Sequence, residues 1–364
     1  MKILLNLIMR SLLNFLYLFS NRIPFKKAIY RMKQAAKSGQ MLTSKKLKYS
    51  PGSLYGFKFC ARWVIAYEKE VNRTIYLNEI SVRWAEKFEL FLVEKRLSKN
   101  TISEILSKVK AVCNYHYKLG HCTFNGSGIS TPLEITTAVY ITDEELLSLL
   151  QIDLPEGLRS IRNIFVLACE LGLRFSDLKI VLKDPKLYLH REHGKLFFEI
   201  KTQKTGEVSY IPLSNLAMAI LNHAHWSFND NFSLSYFNLS IKEVCKRAKI
   251  DGTITFTRTT GGRRKDTIFR KYELVSSHTA RRTFATNAFL HRMPIEQIMA
   301  ITGHKTVQAF MRYIRCSALE KALKAAENVF FTTRFAPADL INYSIDLPSA
   351  SSPVAGNLGP TLLK

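Results

Sequence analysis

Apolar positions recur at helical spacing along most of this chain, and the period turns to alternation only between Lys195 and Leu213. Phe57, Trp63, Val64 and Tyr67 pattern one helix, and Val82, Trp84, Ala85, Phe88, Phe91 and Leu92 a second. Ser98 and Asn100 offer a cap for a third helix, in which Ile102, Ile105, Leu106, Val109, Val112 and Cys113 share a face as far as Lys118. With Ser50, Pro51 and Gly52 as punctuation, these predict a helical domain over 51–120. Residues 121–137, carrying Gly126, Ser127, Gly128 and Pro132 with little periodicity, read as a linker. A second domain is expected over 138–330. Thr142 with Asp143, Glu144 and Glu145 opens one helix, and an apolar helix runs from Ile161 to Leu173. Leu196, Phe198 and Ile200 then face one side of a strand, Lys204, Thr205 and Gly206 make a turn, and Val208, Tyr210 and Ile211 lead into Pro212, which predicts a hairpin. Phe284, Ala285, Ala288 and Phe289 mark a helix around Arg281. After Met293 and Pro294, Ile295, Ile298, Met299 and Ile301 make a short segment ending at Gly303, and Val307, Phe310, Met311 and Ile314 a third helix that carries Tyr313. Ala318 to Val329 closes the pattern before a Ser-, Pro-, Ala- and Gly-rich tail over 331–364. The expected fold is mainly α, with a small β-hairpin or sheet in an α+β second domain and an all-helical first one.

Composition narrows the partner. The chain has 364 residues, enough for two domains with tails, and 53 Lys and Arg against 29 acidic residues give a formal net charge of +24. That excess points to a polyanion, with nucleic acid ahead of a membrane surface or a merely basic protein. Residues 1–20 hold an apolar run from Leu4 to Phe19 broken by Arg10. It lacks a small-residue cleavage site and falls short of a membrane span, so the readings are, in order, an over-extended start before Met9, Met32 or Met41, a helix packing on a partner, and an anchor. The stretch Phe25 to Tyr49, with Lys26, Lys27, Arg31, Lys33 and Lys37, reads as a DNA-contacting arm or a solvated basic tail. Lys95, Arg96, Lys99, Lys108 and Lys110 are candidate phosphate contacts, each with a solvated helix face as the bland alternative. Gly261, Gly262, Arg263, Arg264, Lys265, Arg270 and Lys271 form a basic, glycine-centred loop or hairpin suited to a DNA backbone, or else a disordered basic loop. Six cysteines with no CxxC pair read as reduced, mostly buried thiols, not zinc ligands or a disulfide frame.

The chemistry concentrates between Ser276 and Tyr313. His278 and Arg281 lie one helical turn apart, Gly303 and His304 follow, and Tyr313 stands nine residues further on. Two imidazoles, a guanidinium and a phenol without an acidic cluster suit phosphoryl transfer to tyrosine. This stretch resembles the catalytic core of tyrosine recombinases, the phage integrase family, whose signature is His-x-x-Arg, Gly-His and then the nucleophilic Tyr. Gly172, Leu173, Arg174, Phe175, Ser176, Asp177 and Leu178 resemble its first arginine box, with Asp177 one turn on and placed to orient the Arg174 guanidinium. The phrase from Glu94 to Thr101 resembles the SAM-like core-binding domain, and the glycine-centred segment resembles an insertion in integrases of Bacteroidetes-type mobile elements.

The resemblance implies a site-specific DNA recombinase. Tyr313 would attack the phosphate, His278 accept its proton, Arg174 and Arg281 bind the non-bridging oxygens, His304 add a hydrogen bond, and Lys204, with Lys201 as the alternative, protonate the leaving oxygen. It implies double-stranded DNA carrying specific recombination sites as partner, a homotetramer on DNA, DNA-bending accessory proteins, a cytoplasmic location, and neither metal nor other cofactor. A relaxing topoisomerase of the IB kind and a non-catalytic DNA-binding relative are the alternative readings.

Overall fold

The computed structural model describes residues 22–43, 46–203, 206–316 and 318–332. Both the apolar run of residues 1–20 and the tail from 333 onward lie outside them, and no helix among the described residues is long and apolar enough to cross a membrane.

The first domain begins earlier than the periodicity indicated. Helix α1 (Phe25–Ser38) is part of the bundle rather than an arm: Phe25, Ala28, Ile29, Met32 and Ala36 are almost wholly buried. The lysines between those positions hid a stripe at helical spacing. Helices α2 (Pro51–Glu70), α3 (Val82–Glu94) and α4 (Lys99–Lys118) complete the bundle, with Ser50, Ser81 and Ser98 each accepting a backbone N–H as cap. Aromatic rings make its centre, among them Trp84 on Phe88 at 4.9 Å and Tyr67 on Phe91 at 5.2 Å between centroids. His116 on α4 makes a 3.0 Å hydrogen bond with the Ala28 carbonyl and so pins α1.

The second domain is built around α6 (Glu156–Leu171), which is buried on nearly every side from Ile161 onward because it lies between other helices. Before it stands α5 (Asp143–Gln151), opened by a capping box between Thr142 and Glu145. After it come α7 (Phe175–Lys183) and a three-stranded antiparallel sheet in the order β1 (Leu189–Glu192), β2 (Lys195–Lys201), β3 (Val208–Pro212). The predicted hairpin is β2–β3, in which Phe198 faces Ile211 and both are fully buried, while Val208 and Tyr210 lie on the open face. Strand β1, short and polar, gives no alternation to read. Helices α8 (Asn215–His223) and α9 (Leu234–Arg247) follow.

The glycine-centred segment is a hairpin of β4 (Thr253–Thr260) and β5 (Arg263–Arg270). Gly261 and Gly262 turn it with φ of 58° and 70°, the left-handed pair a two-residue hairpin loop requires. Its tip reaches the first domain: Gly261 N–H donates to Leu97 O (3.2 Å), and Ser98 and Thr260 make an isolated bridge. Glu134, in the connecting segment, completes a strap. Its backbone exchanges two hydrogen bonds with the Asn100 side chain (2.9 and 2.8 Å), and its carboxylate accepts from Thr259 N–H (2.9 Å) and Oγ1–H (2.6 Å).

The Thr259 hydrogen bonds hold the Glu134 carboxyl below its ordinary value of 4.5. The strap is therefore expected to be at full strength above that value and to be lost as the pH falls through the lowered one. Small-angle scattering should show the two domains separating on acidification, and Glu134→Ala should show the same expansion at neutral pH. A variant as compact as the parent would contradict the strap.

Candidate active site

Four further helices carry the site, the single turn α10 (Lys271–Leu274), then α11 (Ser277–Leu290), α12 (Ile295–Thr302) and α13 (Val307–Met311), and two more, α14 (Ala318–Ala326) and α15 (Val329–Thr332), follow. Arg281 on α11 is 2% exposed, which for a guanidinium demands partners. Its Nη1 donates to Gly172 O at 2.8 Å and its Nη2 to Thr302 O, so that it joins the end of α6 to the end of α12. Its Nε has no partner. Burial first, then the Arg174 charge, lowers its pKa to about 10, which leaves it charged at neutral pH.

Gly172 ends α6 in the left-handed region at φ 62°, and a Cβ there would stand 2.6 Å from the Phe284 ring. Gly172→Ala is expected to cost about 1–3 kcal/mol through overpacking and to push Gly172 O away from Arg281. Urea unfolding measures the first effect, and an alanine variant with an unchanged midpoint would contradict it.

Arg174 sits at the N-cap position of α7, half-buried, with Nη1 buried and unpartnered. Asp177, 1% exposed, does not serve as the Arg174 partner the sequence suggested. Its Oδ1 accepts Gln203 N–H at 3.0 Å and its Oδ2 has no partner. The carboxylate thus fastens the β2–β3 loop, which Thr202 N to Glu207 O (2.9 Å) and Gly206 N to Thr202 O (2.8 Å) close upon itself. Lys204 lies in that loop, outside the described residues; Lys201, the alternative, is exposed and paired with Val208.

His304 follows Gly303, whose φ of 64° turns the chain out of α12. Its Nδ1 is 2.8 Å from Thr302 Oγ1, and its Nε2 is buried without a partner. Burial, then the charges of Arg281 and Arg174, lowers its pKa to about 4, so it is neutral at pH 7. The Tyr313 ring packs on it at 4.5 Å between centroids, and the Arg281 guanidinium lies 5.6 Å from the Tyr313 ring centre. Tyr313 is not on the third helix as predicted: α13 ends at Met311, and Tyr313 occupies the turn beyond, its N–H on Phe310 O at 2.7 Å. Its carbonyl accepts from Thr286 Oγ1 at 3.4 Å, which ties the turn back to α11. His278 is exposed in the first turn of α11.

The structure therefore brings together Arg174, Arg281, His304 and Tyr313. Among the described residues six buried side-chain polar atoms have no partner, and Arg174, Asp177, Arg281 and His304 supply four of them. Buried polar groups are normally satisfied, and the two guanidinium nitrogens among these orphans are donors without an acceptor, which suits a bound anion. Thr302 and the Gly172 carbonyl had no signature in the sequence, being a small side chain and a backbone atom whose importance is purely spatial.

The candidate phosphate contacts divide. Lys95 pairs with Glu70 at 3.0 Å, and the Lys108 ammonium stands 5.3 Å from the Phe57 ring centre, so both are engaged within the bundle. Arg263, Arg264 and Lys265 are exposed along β5, and Arg96 backs the hairpin turn, with its Cα 3.6 Å from where a Gly261 Cβ would stand. The Lys99 and Arg264 charges both act on Glu134, so the strap gathers basic residues of both domains at one junction.

A helical bundle joined to a mainly helical domain with small antiparallel sheets matches the core-binding and catalytic domains of tyrosine recombinases. Residues 25–127 match the phage integrase SAM-like domain. Over the whole fold, the chain is similar to the XerH site-specific recombinase bound to palindromic difH substrate in a post-cleavage complex (TM-score 0.58, 14% identity, 84% of this chain and 97% of that one). It is also similar to the Tn1549 transposon integrase in complex with circular intermediate DNA (TM-score 0.57, 16% identity, 84% and 100%). A lambda integrase dimer bound to a COC′ core site gives TM-score 0.56 at 12% identity, covering 81% and 78%. No curated protein matches the chain by sequence.

Proposed function

We propose that this protein is a site-specific DNA recombinase that cuts and rejoins strands through a 3′-phosphotyrosyl intermediate. The observation that carries the reading is the convergence of Arg174, Arg281 and His304 on Tyr313, each with one buried nitrogen left unpartnered. Tyr313 Oη attacks the scissile phosphorus, the bond to O5′ breaks, and O5′ leaves as a hydroxyl with a proton from Lys204, the role its Lys-Thr-Gly phrase suggests. Arg174 and Arg281 hold the non-bridging oxygens, whose charge grows in the transition state. The phenol proton passes to an imidazole, for which the resemblance offers His278. Because the phosphodiester energy is kept in the tyrosyl link, rejoining to another 5′-hydroxyl needs neither nucleotide nor metal.

Its partner is double-stranded DNA, gripped between the two domains, with Arg96, Lys99, Arg263, Arg264 and Lys265 as backbone contacts. Two exchanges at two sites call for four protomers, and DNA-bending proteins fit as helpers. The basic β4–β5 hairpin and the likeness to a transposon integrase favour a mobile element, of the Bacteroidetes type by the resemblance, acting in the cytoplasm where the chromosome lies. The test is cleavage of a nicked duplex library: the reading predicts covalent capture of one short sequence. Relaxation of supercoiled DNA with no sequence preference would contradict it and favour a topoisomerase.

A further inference from the structure

Thr302 is fully buried and touches the site twice. Its carbonyl accepts the Arg281 Nη2–H bond. Its hydroxyl lies 2.6 Å from Ile298 O and 2.8 Å from His304 Nδ1. A hydroxyl has one hydrogen, and the Ile298 carbonyl can only accept, so that hydrogen is committed to Ile298. Toward His304 the Thr302 oxygen must then accept, which places the imidazole proton on Nδ1. Nε2, buried and without a partner, is left with a lone pair.

A neutral His304 held this way cannot donate from Nε2 to a phosphate oxygen. It can take a proton, and it packs against the tyrosine whose proton must leave, whereas His278 is exposed at the start of α11. We propose that Thr302 is a positioning residue that fixes His304 in the Nδ1–H form, so that His304 Nε2 receives the Tyr313 phenol proton. The step rests on the recombinase reading. Tyr313 Oη bonds to phosphorus as its proton moves to Nε2, the P–O5′ bond breaks with its electron pair, and O5′ takes a proton from the Lys204 ammonium. On rejoining, the imidazolium returns its proton to the phenolate.

The test uses the full chain labelled with ¹⁵N-histidine, with the His304 signals identified by their loss in His304→Gln. In the free protein His304 should be protonated at Nδ1. Thr302→Val keeps the carbonyl that holds Arg281 but removes the hydroxyl, and should shift His304 toward the Nε2–H form that free imidazoles favour. Thr302→Ser should keep the parent signal. In single-turnover formation of the covalent DNA adduct, the valine variant should be slower by about tenfold or more and the serine variant near the parent. An Nε2–H form in the parent, or a folded valine variant reacting at the parent rate, would overturn the proposal. Absence of any adduct in the parent would instead overturn the recombinase reading, and with it the role given to His304, while leaving the nitrogen signals of the free protein unmoved.

Discussion

Replacing Arg281 with alanine is expected to lower single-turnover DNA cleavage by about a hundredfold to a thousandfold, the usual cost of removing one donor from a transition-state charge. It should also weaken the fold, which a surface arginine would not do. Gly172 O and Thr302 O would both lose the donor that reaches them inside the protein, and each unsatisfied buried group costs about 1–3 kcal/mol. Arg281→Lys keeps the charge but offers one nitrogen where two carbonyls are bridged, so it should restore little of either effect. Arg174→Ala is the control: it holds no such bridge, and should cost a similar factor in rate with a smaller change in urea midpoint. An Arg281→Ala protein that unfolds and cleaves like the parent would show that the two guanidinium bonds do not organise the site.

That burial also shows where the sequence was readable. The boxes around Arg174, His278, Arg281, His304 and Tyr313 are read from residue type and order alone, and of these five the fold gathers Arg174, Arg281, His304 and Tyr313. The helices of the bundle could be recognised because Trp84, Phe88, Phe91 and their neighbours keep a strict period. Periodicity places His278 and Arg281 on one face, yet the fold exposes the first and buries the second, even though Ser277, Thr279 and Ala280 beside His278 are buried. Helix α1 was obscured for the opposite reason: charge dominated a stretch in which half of the buried apolar positions are small alanines. Asp177 was assigned to Arg174 on sequence proximity, while Gln203, 26 residues away, takes the carboxylate. The Glu134 strap and the Thr302 hydroxyl belong to the same class of contact, legible only once distant segments are side by side.

The central claim is that Tyr313 carries the covalent bond to DNA. Tyr313→Phe keeps the ring on His304 and removes only the oxygen, so the variant should fold, bind DNA as the parent does and lose strand cleavage entirely. The decisive measurement is to purify both proteins from cells under denaturing conditions and sequence any DNA that remains attached. The account predicts DNA on the parent, mapping to one short sequence, and none on Tyr313→Phe. Attached DNA that persists in the phenylalanine variant would contradict the claim and place the nucleophile elsewhere.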